Sequence, residues 1–86
     1  MMRFTVIWTA STRDDLAKLW LSATNRSATQ RAADDIDRRL RTDAHLLGQP
    51  FFEDRMLVVP PLAVVFSVSL PDCLVTVWQV WSRGLT

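Results

Sequence analysis

The sequence predicts an α+β fold: two N-terminal helices packed on one face of a mostly antiparallel four-stranded sheet, in the order β-α-α-β-β-β. Three observations predict it. The opening Arg3-Phe4-Thr5-Val6-Ile7-Trp8 is rich in β-branched and aromatic residues. Apolar residues then recur at helical spacing, and from Arg55 onwards the period becomes strand-like over residues 55–59, 62–69 and 73–82. With 86 residues and 9.8 kDa the chain makes one domain, residues 1–86, because such a length holds a single hydrophobic core.

The first strand ends in the polar residues 9–12, where Ser11 or Thr12 can cap a helix and Asp14 and Asp15 fall in its first turn. Leu16, Leu19, Trp20 and Ala23 lie on one face of that helix and predict a buried stripe. Ser27, three residues before Gln30, has capping-box spacing and predicts the start of the second helix. Ala33, Ile36 and Leu40 give this helix a thin apolar stripe. Asp34, Asp35 and Asp37 each precede an arginine by four residues, which marks a solvated face and not a metal cluster. The changeover from helix to loop is predicted between Thr42 and Gly48.

Leu70-Pro71-Asp72-Cys73 fits a type I turn, which makes the last two strands a hairpin. Neither Pro60 nor Pro61 can adopt the positive φ of a primed hairpin turn, so the preceding connection must use another geometry, for which a type VI turn with cis Pro61 is one candidate. In the last strand both alternating sets are apolar: Cys73, Val75, Val77 and Trp81 on one side, Leu74, Trp78 and Val80 on the other. Two short helices can cover only one of these. The second face is either closed by a loop around Phe51 and Phe52 or open to a partner.

Composition narrows the function classes. Ten Lys and Arg against nine Asp and Glu leave a net charge of +1, with no broad basic field for nucleic acid or a membrane surface. The single Cys73 and single His45 cannot assemble a Cys/His metal site, and no cofactor motif is present. Cys73 reads as a packed thiol, and Trp20, Trp78 and Trp81 as packing groups before a base-stacking platform. The apolar run 56–66, broken by Pro60 and Pro61, is too short to span a membrane, and the N-terminus has no signal-peptide pattern, which predicts the cytoplasm.

The chain resembles the RelE/ParE superfamily, the toxin halves of bacterial type II toxin–antitoxin modules, from Phe4 to about Arg83. The resemblance is carried by the element order, by Phe4-Thr5-Val6-Ile7-Trp8 followed by Asp15-Leu16, by Ala33-x-x-Ile36-x-x-x-Leu40, by the Gly48 loop, and by Val77-Trp78-Gln79-Val80-Trp81-Ser82-Arg83. It implies a toxin of the kind found in plasmid stabilisation, held by a cognate antitoxin whose extended or helical segment buries apolar surface. Trp78, Trp81 and Arg83 are then the partner-binding candidates.

The RelE-like branch, which cuts ribosome-bound mRNA, implies basic residues on the sheet and often a tyrosine. Here the corresponding strand reads Leu62-Ala63-Val64-Val65-Phe66, and the chain has no tyrosine. Only Arg55 and Arg83 match positions where the family places basic residues, with His45 as the remaining group able to move a proton. An arginine can clamp phosphate but is no general base. The expectation is therefore a toxin acting by protein binding, closer to the gyrase-inhibiting ParE branch. A divergent endoribonuclease using Arg55, Arg83 and His45, or a non-toxic interaction domain that self-associates through its last strands, is the alternative.

Overall fold

A computed structural model describes residues 1–83. In chain order they form β1 (Thr5–Trp8), α1 (Ala10–Ser22), α2 (Arg26–Leu40), a 3-10 turn (Ala44–Leu46), β2 (Gln49–Phe51), β3 (Asp54–Val59), β4 (Leu62–Ser69) and β5 (Leu74–Ser82). The strands make one sheet in the order β1-β5-β4-β3-β2, with β1 parallel to β5 and every other pair antiparallel. The α+β class with two helices on one face of a mostly antiparallel sheet holds, but the sheet has five strands and not the predicted four. The extra strand, β2, is three residues long with Pro50 at its centre, too short to show alternation. A proline cannot donate to the ladder, which suits it to the sheet edge where β2 lies.

Both helices start earlier than their predicted caps. Thr9 caps α1, its Oγ1 accepting from the Thr12 amide at 3.2 Å and sharing a hydrogen bond of 2.7 Å with the buried Thr12 hydroxyl. Asp14 and Asp15 therefore fall beyond the first turn. Asn25 caps α2 by accepting from the Ala28 amide at 3.0 Å, and Ser27 lies inside the helix. The tight link has a cause in Arg26, whose Nε donates to the Trp20 carbonyl (3.2 Å) and Nη2 to the Leu21 carbonyl (3.0 Å). One side chain thus satisfies the end of α1 at the point where α2 begins.

Helix α2 buries Thr29, Ala32, Ala33, Ile36 and Leu40 against the sheet. On its outer side Asp35 pairs with Arg39 (2.9 Å) and Asp37 with Arg41 (2.7 Å), whereas Asp34 accepts from Gln30 (3.0 Å) and Arg38 turns to Asp35. Helix α1 is less deeply seated than its pattern predicts: Leu16 and Leu19 are half-buried and Trp20 is exposed, with the Arg26 guanidinium 4.7 Å from its ring centre.

The N-terminal segment closes the exit of α2, which ends at Leu40. The Phe4 amide donates to the Arg41 carbonyl (2.8 Å), and Met2 and Asp43 exchange hydrogen bonds of 2.7 Å. Gly48, at φ 69°, follows this exit and leads into β2. The Pro60-Pro61 bond joining β3 to β4 is cis, as the Pro-Pro pair predicts. The β4–β5 hairpin turns through residues 70–73, with the Cys73 amide bonded to the Leu70 carbonyl at 3.2 Å.

The core lies between helices and sheet. Leu62, Val64 and Phe66 of β4 and Val75, Val77 and Val80 of β5 pack with Ile36, Leu40 and Ala44. The two faces of β5 differ from the predicted sets because of a β-bulge. Phe66 pairs with Val77 and Val65 with Gln79, which leaves Trp78 as the additional residue. The bulge reverses the alternation beyond it, so Val80, opposite Val64, joins Val75 and Val77 on the helix side, and Trp81, opposite Ala63, lies on the other.

Candidate functional site: an apolar outer sheet face

The sheet side away from the helices carries Ile7 on β1, Met56 and Val58 on β3, Ala63 and Val65 on β4, and Leu74, Trp78 and Trp81 on β5 or its bulge. Ala63 and Val65 are buried, yet they lie outside the helix-side core. Neighbouring strands and their longer side chains cover them. Those longer side chains face solvent: Trp78 is 51% exposed and Ile7 42%, while Trp81, Met56, Val58 and Leu74 are half-buried. The Trp78 indole is held in place, its Nε1 donating to Ser67 Oγ across the hairpin at 2.9 Å. A positioned, half-exposed indole with one polar edge satisfied is the kind of group that anchors protein contacts. The reading of Trp78 as a packing group is thus corrected, since by alternation with Val77 it lies on the side that no helix covers among the described residues. Phe52, 91% exposed, covers none of this face.

The basic candidates do not converge. Arg55 pairs across the ladder with Phe66 and so shares the helix side, where its Nε donates to the Leu47 carbonyl (2.7 Å) and its Nη2 to the Gly48 carbonyl (3.3 Å). It straps the 47–48 segment to β3. His45, in the 3-10 turn, packs its ring 5.7 Å from that of Phe4 and keeps a buried Nδ1 without a hydrogen-bond partner. His45 and Arg55 line one hollow with Pro50, Phe52, Glu53, Asp54, Val68 and Leu70.

Arg83 lies elsewhere. Its amide donates to the Pro61 carbonyl at 2.8 Å, just past Ser82, which pairs with Leu62. Since Arg55 pairs with Phe66 and Arg83 lies opposite Pro61, five positions separate the two arginines, about 17 Å along the strand. Arg83 sits near Trp81 at one end of the ribbon, and His45 with Arg55 at the other. Cys73 is exposed and not packed, because at φ 49° it ends the hairpin turn before β5 begins.

Two features escaped the sequence reading. One is a solvent-open apolar hollow between the helices, lined by Arg13, Leu16, Ala17, Trp20, Leu21, Thr29, Gln30 and Ala33. The other is Phe52, which adopts φ 55° at the β2–β3 turn. Two adjacent phenylalanines behind a proline were the available signal for the second; the first needs the angle between two helices, which no residue pattern contains.

An α-helical pair on one side of a sheet whose N-terminal strand runs parallel to the C-terminal one defines the RelE/ParE-like fold. Solved structures of that class match this chain over nearly its whole length. A chain of the RelBE2 toxin–antitoxin complex of Mycobacterium tuberculosis matches with a TM-score of 0.79 and 17% identity, over 96% of this chain and 94% of that one. A chain of the chromosomal ParDE TA system of P. aeruginosa matches with a TM-score of 0.69 and 17% identity, over 95% and 98%. A chain of the archaeal RelE–RelB complex of Pyrococcus horikoshii OT3 matches with a TM-score of 0.70 and 15% identity, over 99% and 100%. No protein-family model and no curated protein matches the sequence.

Proposed function

We propose that this chain is the toxin of a type II toxin–antitoxin module, acts in the cytoplasm by binding a protein target in the manner of the ParE branch, and is neutralised by a cognate antitoxin laid across the outer sheet face. The observation that carries the reading is the outer face itself: Trp78 and Ile7 stand half-exposed among Met56, Val58, Leu74 and Trp81, interspersed with Thr5, Ser67, Thr76 and Gln79, and no helix lies above them among the described residues. Exposed apolar area of this kind favours burial by another chain. The fold supports it, since the three solved relatives come from complexes named as RelBE, ParDE and RelE–RelB.

The binding mode is favoured over mRNA cleavage by the state of the basic residues. Phosphodiester cleavage needs a base, an acid and cationic stabilisation within reach of one phosphate. Arg55 is committed to two backbone carbonyls, and Arg83 is remote from His45 along the ribbon. Inducing the chain alone in bacteria is expected to slow growth while mRNA stays intact, and co-induction of the small protein encoded beside it restores growth. Harmless induction with no adjacent partner gene contradicts the module reading; mRNA fragmentation contradicts the binding mode alone.

A further inference from the structure

We propose that this chain self-associates head to tail, with Phe52 of one copy seated in the hollow between α1 and α2 of the next. Phe52 is 91% exposed and stands at φ 55°, a conformation that L side chains other than Asn and Asp seldom adopt. The two-residue turn between Phe51 and Asp54 accounts for the positive φ, and an aromatic ring left this exposed at a turn tip is the kind of group that a contact outside the chain buries. The ring is already oriented, packed edge-on against Phe51 with centroids 4.9 Å apart. It is a preformed knob.

The matching hole is on the same molecule. The α1–α2 hollow holds ≈ 470 Å³ open to solvent and is walled by Leu16, Trp20 and Leu21. The charges around knob and hole are opposite. Glu53 and Asp54 follow Phe52 directly, whereas Arg13 lines the hollow and Arg26 stacks on its Trp20 wall. None of these four residues forms an ion pair among the described residues. An aromatic knob with an acidic base therefore meets an apolar socket with a basic rim. Because the two surfaces differ, the contact is heterologous and propagates from copy to copy.

This inference does not depend on toxicity or on an antitoxin, and the chain purified alone tests it. By sedimentation equilibrium, the weight-average mass is expected to rise from the 9.8 kDa of a monomer to at least roughly twice that as concentration approaches ~1 mM. Phe52→Asp removes the knob with a residue that tolerates positive φ, and Leu21→Glu blocks the hole with a good helix former at an exposed position. Each variant alone is expected to remain monomeric. Mixed in equal amounts they are expected to form a species of two chains and none larger, since one retains the hole and the other the knob. A wild-type chain that stays monomeric, a Phe52→Asp variant that still associates, or a mixture that fails to pair overturns the proposal.

Discussion

Phe66→Ala is expected to lower the unfolding free energy by about 3–5 kcal/mol, a large share of the stability that a domain of this length possesses. Phe66 is fully buried, lies opposite both Arg55 and Val77, and fills the space under Ile36 and Leu40. Truncation removes its transfer free energy and leaves a cavity that the surrounding strands cannot close. The neighbouring Val65→Ala provides the contrast. Val65 is also buried, but on the outer side, where no helix among the described residues sits above the gap. Its loss is expected to cost only about 1–2 kcal/mol. Urea denaturation of the two variants, with unchanged dependence on denaturant, measures the difference. Equal losses would mean that both faces of β4 are covered alike, against the layer arrangement described above.

Gly48→Ala is expected to cost about 2–3 kcal/mol although it adds only a methyl group. Gly48 stands at φ 69°, and a Cβ there would run into the Met56 carbonyl oxygen and approach its carbon to 2.9 Å. Met56 pairs with Gln49 in the β2–β3 ladder, so the collision pushes β2 away and disturbs the carbonyl that Arg55 binds on Gly48 itself. A fall of roughly 10–20 °C in the melting temperature follows for a domain of this size. An alanine variant that melts with the wild type would show that the 47–49 segment can shift at no cost.

The parts of the fold written in local periodicity were legible. The Ala33, Ile36 and Leu40 stripe is buried as a set, and β4 runs over the residues that its apolar content marks. The turn at residues 70–73 follows from proline chemistry, and the cis bond before Pro61 is the candidate that the Pro-Pro pair offered. What was not legible depends on particular side-chain contacts that no periodicity encodes. Thr9 caps α1 with the Thr12 hydroxyl folded back on it, and Asn25 caps α2 where Arg26 reaches back to the end of α1.

The candidate site shows the same division. That one sheet side would lie beyond the reach of two helices followed from counting surfaces, but which residues occupy it depended on the bulge at Trp78. A single additional residue moved Val80 into the core and placed Trp81 opposite Ala63 on the outer side. Arg55 matched a family position in the sequence and is engaged locally instead, because the Leu47 and Gly48 carbonyls approach it.

The central claim is that the outer sheet face is the surface a protein partner covers. Its most direct test is the affinity of the purified chain for the cognate antitoxin proposed above, compared with that of a variant carrying Trp78→Asp and Ile7→Lys. Both positions are half-exposed, so the melting temperature should stay near that of the wild type. If this face binds the partner, dissociation constants are expected to rise by at least ~30-fold, the loss typical of an anchoring aromatic at an interface. Unchanged affinity in a folded variant would place the partner elsewhere on the molecule and contradict the account.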